Sequence, residues 1–418
     1  MSHSKTAPER IEQATYWRLC GLSAALFLPY GLQLPYFPVW LAARGLTDFQ
    51  IAATLATPLI LRVLLMPIIA YVADRRGIAV TLAFCACTMA ACYLCLDFAP
   101  GIWLIFLISV LAITAQGSMP ALTDALALAE IRRFQKIGLR GIQFGRIRVG
   151  ASFSVLSMML LSGSIVAIFP GRKIIFALTL LALVPVIASV MIARRMRKVR
   201  FHHGAQSGLT ENPDALPLAI LVIAAASLVQ ASHAEIYVFG TLQWRAAGFG
   251  GQTISLAWAI GVMSESVLLI FCGRYVTGVR QALALLMLGG AGAIVRWVAM
   301  SFAPGAGIVL GLQLLHALSF AATYLGAVSV LGWLAGPNHR ARMQGWLSAA
   351  MALSMALATM ACGRLTHSFG AGAYLAMVGL AAAGLGFACA AMLRSRSVQV
   401  ALPQPQRAGA GGCTIDPS

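Results

Sequence analysis

Five ionisable residues stand inside long apolar stretches. Glu265 lies in SLAWAIGVMSESVLLIFCGRY (255–275), Arg296 in ALALLMLGGAGAIVRWVAMSF (282–302) and His316 in GLQLLHALSFAATYLG (311–326); His233 and Glu235 follow the apolar run that begins at residue 216. A carboxylate can carry a proton, an imidazole can relay one, and a guanidinium binds a carboxylate through parallel hydrogen bonds. In a lipid core each charge costs about 2.5–3.5 kcal/mol on insertion scales, so such residues face a polar cavity and find partners there. The spacing predicts that Glu265 and Arg296 pair beside a central pathway. Substrate engaging Arg296 would loosen that pair and favour protonation of Glu265. His316 either joins this chemistry or stays a neutral hydrogen-bonding residue of the bundle. The alternative for the whole set is a structural network that only fixes helix packing.

The elements that must position these groups are membrane-spanning helices. The chain has 418 residues, of which 60% are hydrophobic and 10% charged, against about 25% charged in soluble domains. Apolar segments of about 20 residues, each long enough to cross a bilayer, recur along its whole length. Twelve spans are expected, at 17–43, 48–72, 79–97, 101–127, 146–169, 172–193, 216–241, 251–273, 281–302, 305–335, 342–362 and 371–393. Glu265 and His316 then fall roughly 20 Å from the outer ends of their spans and Arg296 roughly 10 Å. The fold class is therefore an all-α polytopic membrane protein. The 40 glycines fit close helix packing in lipid.

The net charge of +18 would suggest nucleic acid on a soluble protein. Here its distribution follows the positive-inside rule. With both termini cytoplasmic, 23 of the 30 Lys and Arg lie on the inner side and 5 on the outer side; Arg62 and Arg296 lie within spans. No nucleic-acid partner is expected. The polar start MSHSKTAPERIEQ is not a cleavable signal peptide. The nine cysteines, Cys92-x-x-Cys95 included, read as small packing residues, and no metal or cofactor site is expected.

Five regions follow: a cytoplasmic segment 1–16, a six-helix bundle 17–193, a basic cytoplasmic linker 194–215, a second six-helix bundle 216–393, and a disordered cytoplasmic tail 394–418. The linker holds His202 and His203, read as solvated residues rather than metal ligands. The bundles echo each other. Gly45 lies seventeen residues before Arg62, and Gly248 seventeen before Glu265. An interface between such repeats, near the bilayer midplane, is where a transported solute is expected to bind. Arg62 either attracts an anionic substrate or bonds backbone freed near Pro58 and Pro67. Asp124 and Arg148 either form a second buried pair, or Arg148 is simply a positive-inside residue at the start of its span.

YVADRRG at 71–77 resembles the loop 2–3 motif of the major facilitator superfamily, shortened, and GRYVTGVR (273–280) is a degenerate copy. The stretches LPYFPVWLAARGLT, FGRIRVGASFS, ASHAEIYVFGTLQW, AWAIGVMSE, VRWVAM and LLHALSFAATYLGAV are similar to the branch of that family containing 3-phenylpropionate permease, lactose permease and nucleoside–proton symporters. The resemblance covers nearly the whole membrane domain. It implies two pseudo-symmetric six-helix halves, alternating access, and a monomer in the cell inner membrane. It also implies a gating role for Asp74, Arg75, Arg76 and Gly77, with the aspartate acting as a latch. It would have Glu265, Arg296 and His316 bind substrate and couple it to protons, with Arg148 as a substrate-binding arginine. Two departures count against a galactoside: Ser319 stands where lactose permease has a second acid, and Val155 where it stacks the sugar on tryptophan.

The expected activity is proton-coupled import of a small organic solute, best an aromatic or other organic acid such as a phenylpropionate. The proton gradient would be the energy source, and no cofactor is needed. Arginines suit the carboxylate, and aromatic residues, Tyr36 and Trp258 among them, suit the ring. Arg62, Arg148, Arg296, His233 and Glu235 complete the candidate substrate contacts. The rivals are an exporter of drugs or lipophilic compounds, a symporter of sugars or nucleosides, a membrane-embedded enzyme, and a sensor without transport. GxxxxGK[ST], HExxH and GxSxG are all missing from the sequence, which disfavours an ATP-driven pump and an enzyme.

Overall fold

The computed structural model describes residues 6–139, 141–195, 215–272 and 275–396, all of it helices and short connections with no strand. The expected linker and tail thus lie almost wholly outside the described residues. So do His202 and His203, and residues 273 and 274 of the degenerate motif.

The first group of helices is α1 (Ala7–Phe27), α2 (Tyr30–Ala43), α3 (Asp48–Arg76), α4 (Ile78–Phe98), α5 (Ile102–Gln135), α6 (Phe144–Ile168) and α7 (Ile174–Arg195). The second is α8 (Leu216–Ala231), α9 (Thr241–Ala246), α10 (Gly251–Cys272), α11 (Val279–Ser301), α12 (Ala306–Leu314), α13 (Thr323–Leu334), α14 (Gly336–Phe369) and α15 (Tyr374–Arg394). Ten segments among the described residues are long and apolar enough to cross a membrane; the last of them, Arg342–Arg394, contains most of α14 and all of α15. The protein is a multi-pass membrane protein.

Local sequence explains most boundaries. At the start of α3, Thr47 Oγ1 accepts from the Gln50 backbone N–H and the Gln50 side chain accepts from the Thr47 N–H, a reciprocal cap. Gly45 and Gly248 precede α3 and α10 with φ of +85° and +83°. Only glycine adopts this backbone freely, and the two repeats turn alike here. Helix α1 begins at Ala7, within the 1–16 segment, where Glu9 reaches back to the Thr6 N–H at 2.8 Å.

Two expected spans are interrupted. The 216–241 span divides into α8, a π-helical turn at Ile236–Gly240, and α9. The 305–335 span divides into α12, a π-helical turn at Ala317–Ala322, and α13. In the first, His233 Nδ1 sits 3.2 and 3.1 Å from the Val229 and Gln230 carbonyl oxygens. The ring competes for carbonyls that would hold the next turn.

Among the described residues, the close contacts between the two groups of helices gather at one side of the molecule. There Gly163 of α6 touches Gly251 of α10, and Gly363 of α14 touches Asp48, Phe49 and Ala52 of α3. Tyr36 donates to the Gly251 carbonyl at 3.1 Å, and Ser162 bonds Ser255 at 2.8 Å. A continuous core joins both groups on this side, which holds the turns at Gly45 and Gly248. On the other side, where α1 starts and α15 ends, part of the second group forms a separate core of its own, including Leu218, Leu286, Leu331 and Leu347. A cleft therefore opens towards the side of the helix α1 start; we call this the terminal side.

Candidate functional site

At the head of this cleft lies a cavity of about 360 Å³, lined from both groups of helices. Phe27, Tyr30, Arg148, Val155 and Met159 face it from α1, α2 and α6; Tyr237, Trp258, Glu265, Arg296, Gln313, His316 and Phe320 face it from the other group. The volume falls at the lower end of small-molecule sites. One wall is aromatic. Tyr237 stacks on Trp258 with ring centroids 6.1 Å apart, and His316 stacks on Phe320 at 5.1 Å. Trp258 is fixed by donating to Thr241 at 2.9 Å.

The charged groups form a chain rather than the direct pair expected between Glu265 and Arg296. His316 stands between them: its Nε2 is 3.2 Å from Glu265 Oε2, and its Nδ1 is 3.0 Å from Arg296 Nη1. A guanidinium can only donate, so His316 Nδ1 accepts and its single proton lies on Nε2, directed at the carboxylate. Arg296 thereby holds His316 as one neutral tautomer. Arg296 is 1% exposed and also bonds Gln313 Oε1 and, at 3.3 Å, Ser319 Oγ. Its Cζ lies 4.6 Å from the Trp297 ring centroid. Every direct partner of this cation is neutral. Its Nε and Gln313 Nε2 have no hydrogen-bond partner among the described residues.

His233 sits behind this layer. Its Nδ1 faces two carbonyls and so carries the proton; its Nε2 accepts from Ser319 at 3.0 Å. Ser319 thus donates to His233 and accepts from Arg296. Ser319 so locks the arginine in place and carries no charge. His233 does not line the cavity. Nor does Glu235, which accepts from Gln243 at 2.7 Å and Thr366 at 2.8 Å, tying the π-helical turn to α9 and α14. Tyr36, also expected at substrate, is 1% exposed and belongs to the seal between α2 and α10. Short polar partners and close helix packing draw all three away from the cleft.

In the first group, Arg148 Nη1 lies 2.7 Å from Asp124 Oδ2, joining α6 to α5, with the side chains 49% and 35% exposed. The pair forms, but at the mouth of the cleft and not buried. Arg62 does not bond the backbone near Pro58 or Pro67. It lies half-buried against Gly117 of α5, away from the cavity lining, with no hydrogen bond or ion pair among the described residues. In the loop motif, α3 ends at Arg76, Gly77 takes φ +99°, and Arg75 lies over Tyr71 at 4.7 Å. Asp74 occupies the last turn of α3.

Sequence reasoning passed over Gln313 and Tyr237. The signal for Gln313 was present: Gln313, His316 and Ser319 recur every third residue in an otherwise apolar span, which puts them on one helix face. Tyr237 carried no such signal among so many aromatics.

The profile of the MFS_1 like family matches residues 16–377. The chain belongs to this family. The MFS_1 like chain is 27% identical over 378 residues to an Escherichia coli (strain K12) protein called "Probable 3-phenylpropionic acid transporter", covering 87% of this chain and 94% of that one. Its fold is similar to the crystal structure of nucleoside transporter NupG, with a TM-score of 0.70 at 16% identity over 91% of this chain and 99% of that one. It is also similar to an auto-inhibited POT family peptide transporter, with a TM-score of 0.67 at 11% identity over 94% and 98% of the two chains. The MFS_1 like chain is thus a transporter of the major facilitator type and not an enzyme.

Proposed function

We propose that this transporter imports a small aromatic carboxylic acid, of the 3-phenylpropionate class, together with a proton. Its surroundings would be the cell inner membrane, with both termini cytoplasmic, and it would act as a monomer driven by the proton gradient. The terminal side then faces the cytoplasm, and the cleft is the inward-open state of an alternating-access cycle.

The observation that carries this reading is the balance of charge in the cavity wall: Arg148, Arg296 and Glu265 line it, and Glu265 is the acid that reaches Arg296, one histidine away. In the empty site the Glu265 carboxylate balances the Arg296 cation across His316. A substrate carboxylate adds one negative charge. An unbalanced charge in a low-dielectric site is expensive, so a proton on Glu265 restores neutrality. Anion and proton therefore load together, one for one. His316 is a poor proton carrier here, because its free nitrogen is occupied by Arg296; Glu265 is the proton site. Arg296 Nε and Gln313 Nε2 are donors still lacking acceptors, and the Tyr237–Trp258 stack offers a flat apolar face for the ring. The likeness to the Escherichia coli protein supports the choice of acid.

The test is proton movement into proteoliposomes with a trapped pH dye, 3-phenylpropionate being added outside. Wild-type protein should acidify the lumen faster than empty liposomes, which report passive leak of the acid, and Glu265→Gln should not. Acidification at the leak rate with wild type would reject this substrate class. Equal protein-dependent acidification by both would remove Glu265 from the coupling.

A further inference from the structure

A second cavity, about 380 Å³, lies between α1 and α7 on the outside of the bundle and shares no lining residue with the first. Its floor is Gly21, Ala25, Ala188 and Val184, and Arg18 and Arg195 stand at its terminal-side end. Among the described residues no hydrogen bond or acidic partner holds either arginine, and both are exposed. Trp17, 64% exposed, is next to Arg18 within α1; an exposed tryptophan beside a cation marks the headgroup level. From Arg18 to Ala25 the trough runs about 10 Å and from Arg195 to Val184 about 16 Å. That is close to one leaflet of a hydrocarbon core of about 30 Å.

We infer that this trough is a binding site for an acidic glycerophospholipid, its phosphate between Arg18 and Arg195 and one acyl chain along Gly21, Ala25 and Ala188. The charge complementarity selects the occupant. The linker that leaves α7 carries Arg197, Lys198 and Arg200, which two arginines would repel, and a zwitterionic lipid satisfies them less well. Basic pockets between helices hold acidic headgroups in this way. The absent side chain of Gly21 makes the room: a Cβ there would have no neighbour within 4 Å.

The experiment is native mass spectrometry of the full-length protein equilibrated with equal amounts of phosphatidylglycerol and phosphatidylcholine of the same acyl chains. Wild type should retain phosphatidylglycerol about tenfold or more over phosphatidylcholine, given two arginines near the headgroup. Arg18→Gln with Arg195→Gln should bring the ratio near parity. Gly21→Leu keeps both arginines, its Cβ enters open space and its side chain fills the trough, so it should lose the tightest-held phosphatidylglycerol. Parity in wild type overturns the proposal. A wild-type preference that survives Gly21→Leu overturns it too, by placing the acidic lipid elsewhere; this arm decides even if the double variant cannot be purified.

Discussion

Arg62 in α3 and Glu265 in α10 stand at matching places in the two repeats, each seventeen residues beyond a glycine with φ near +84°, yet their surroundings differ. Glu265 ends a chain of side chains from three helices: His316, then Arg296, then Ser319 and His233. Arg62 rests against Gly117 without a bond. The second group concentrates polar chemistry in its half of the cavity wall, while the first supplies mostly apolar wall and the exposed Asp124–Arg148 pair.

The sharpest break in this comparison would come from Arg296→Gln. Removing one member of a buried charge network costs about 2–5 kcal/mol, so affinity for the acid should fall at least about thirtyfold, read by isothermal titration on purified protein. Glu265→Gln tests linkage. Wild-type affinity should rise about tenfold per pH unit as pH falls, while one proton is taken up with each anion. The variant mimics the protonated acid, so its affinity should be flat with pH and accumulation against a gradient should vanish. A pH slope retained in Glu265→Gln would move the proton site elsewhere.

Gly163→Val probes the seam between the groups. A Cβ at Gly163 would lie 2.5 Å from the Gly251 carbonyl oxygen, and overpacking of that kind costs about 1–3 kcal/mol. The seal should open, exposing cysteines introduced near Gly251 to a reagent that cannot cross the membrane. The smallest effects should be in the first group. Arg148→Gln loses a half-exposed pair worth about 0–1 kcal/mol. Arg62→Gln loses no bond and should shift melting by less than Arg148→Gln; if instead it lowers stability as much as Arg296→Gln does, the asymmetry between the halves is wrong.

How much of this was legible in the sequence follows from the range of each interaction. Hydropathy, glycine turns and caps act within a few residues, so Thr47 with Gln50, Gly45 and Gly248 could be read directly as helix starts and repeat markers. The cost of a charge in lipid is equally local, and it singled out Glu265, Arg296 and His316 without any structure. Which of them touches which was not legible, because partner choice depends on helix rotation. Tertiary packing inserted His316 between Glu265 and Arg296, turned Glu235 towards Thr366, and moved Tyr36 into the seal. The two π-helical turns beside Glu235 and His316 were also hidden, since each lies within an apolar run of unbroken appearance. The sequence by itself determined the membrane-spanning class, the repeat and the set of costly residues, each set by local transfer energies; only the tertiary structure decided their pairing and the side on which the cleft opens, because both depend on contacts between helices far apart in the chain.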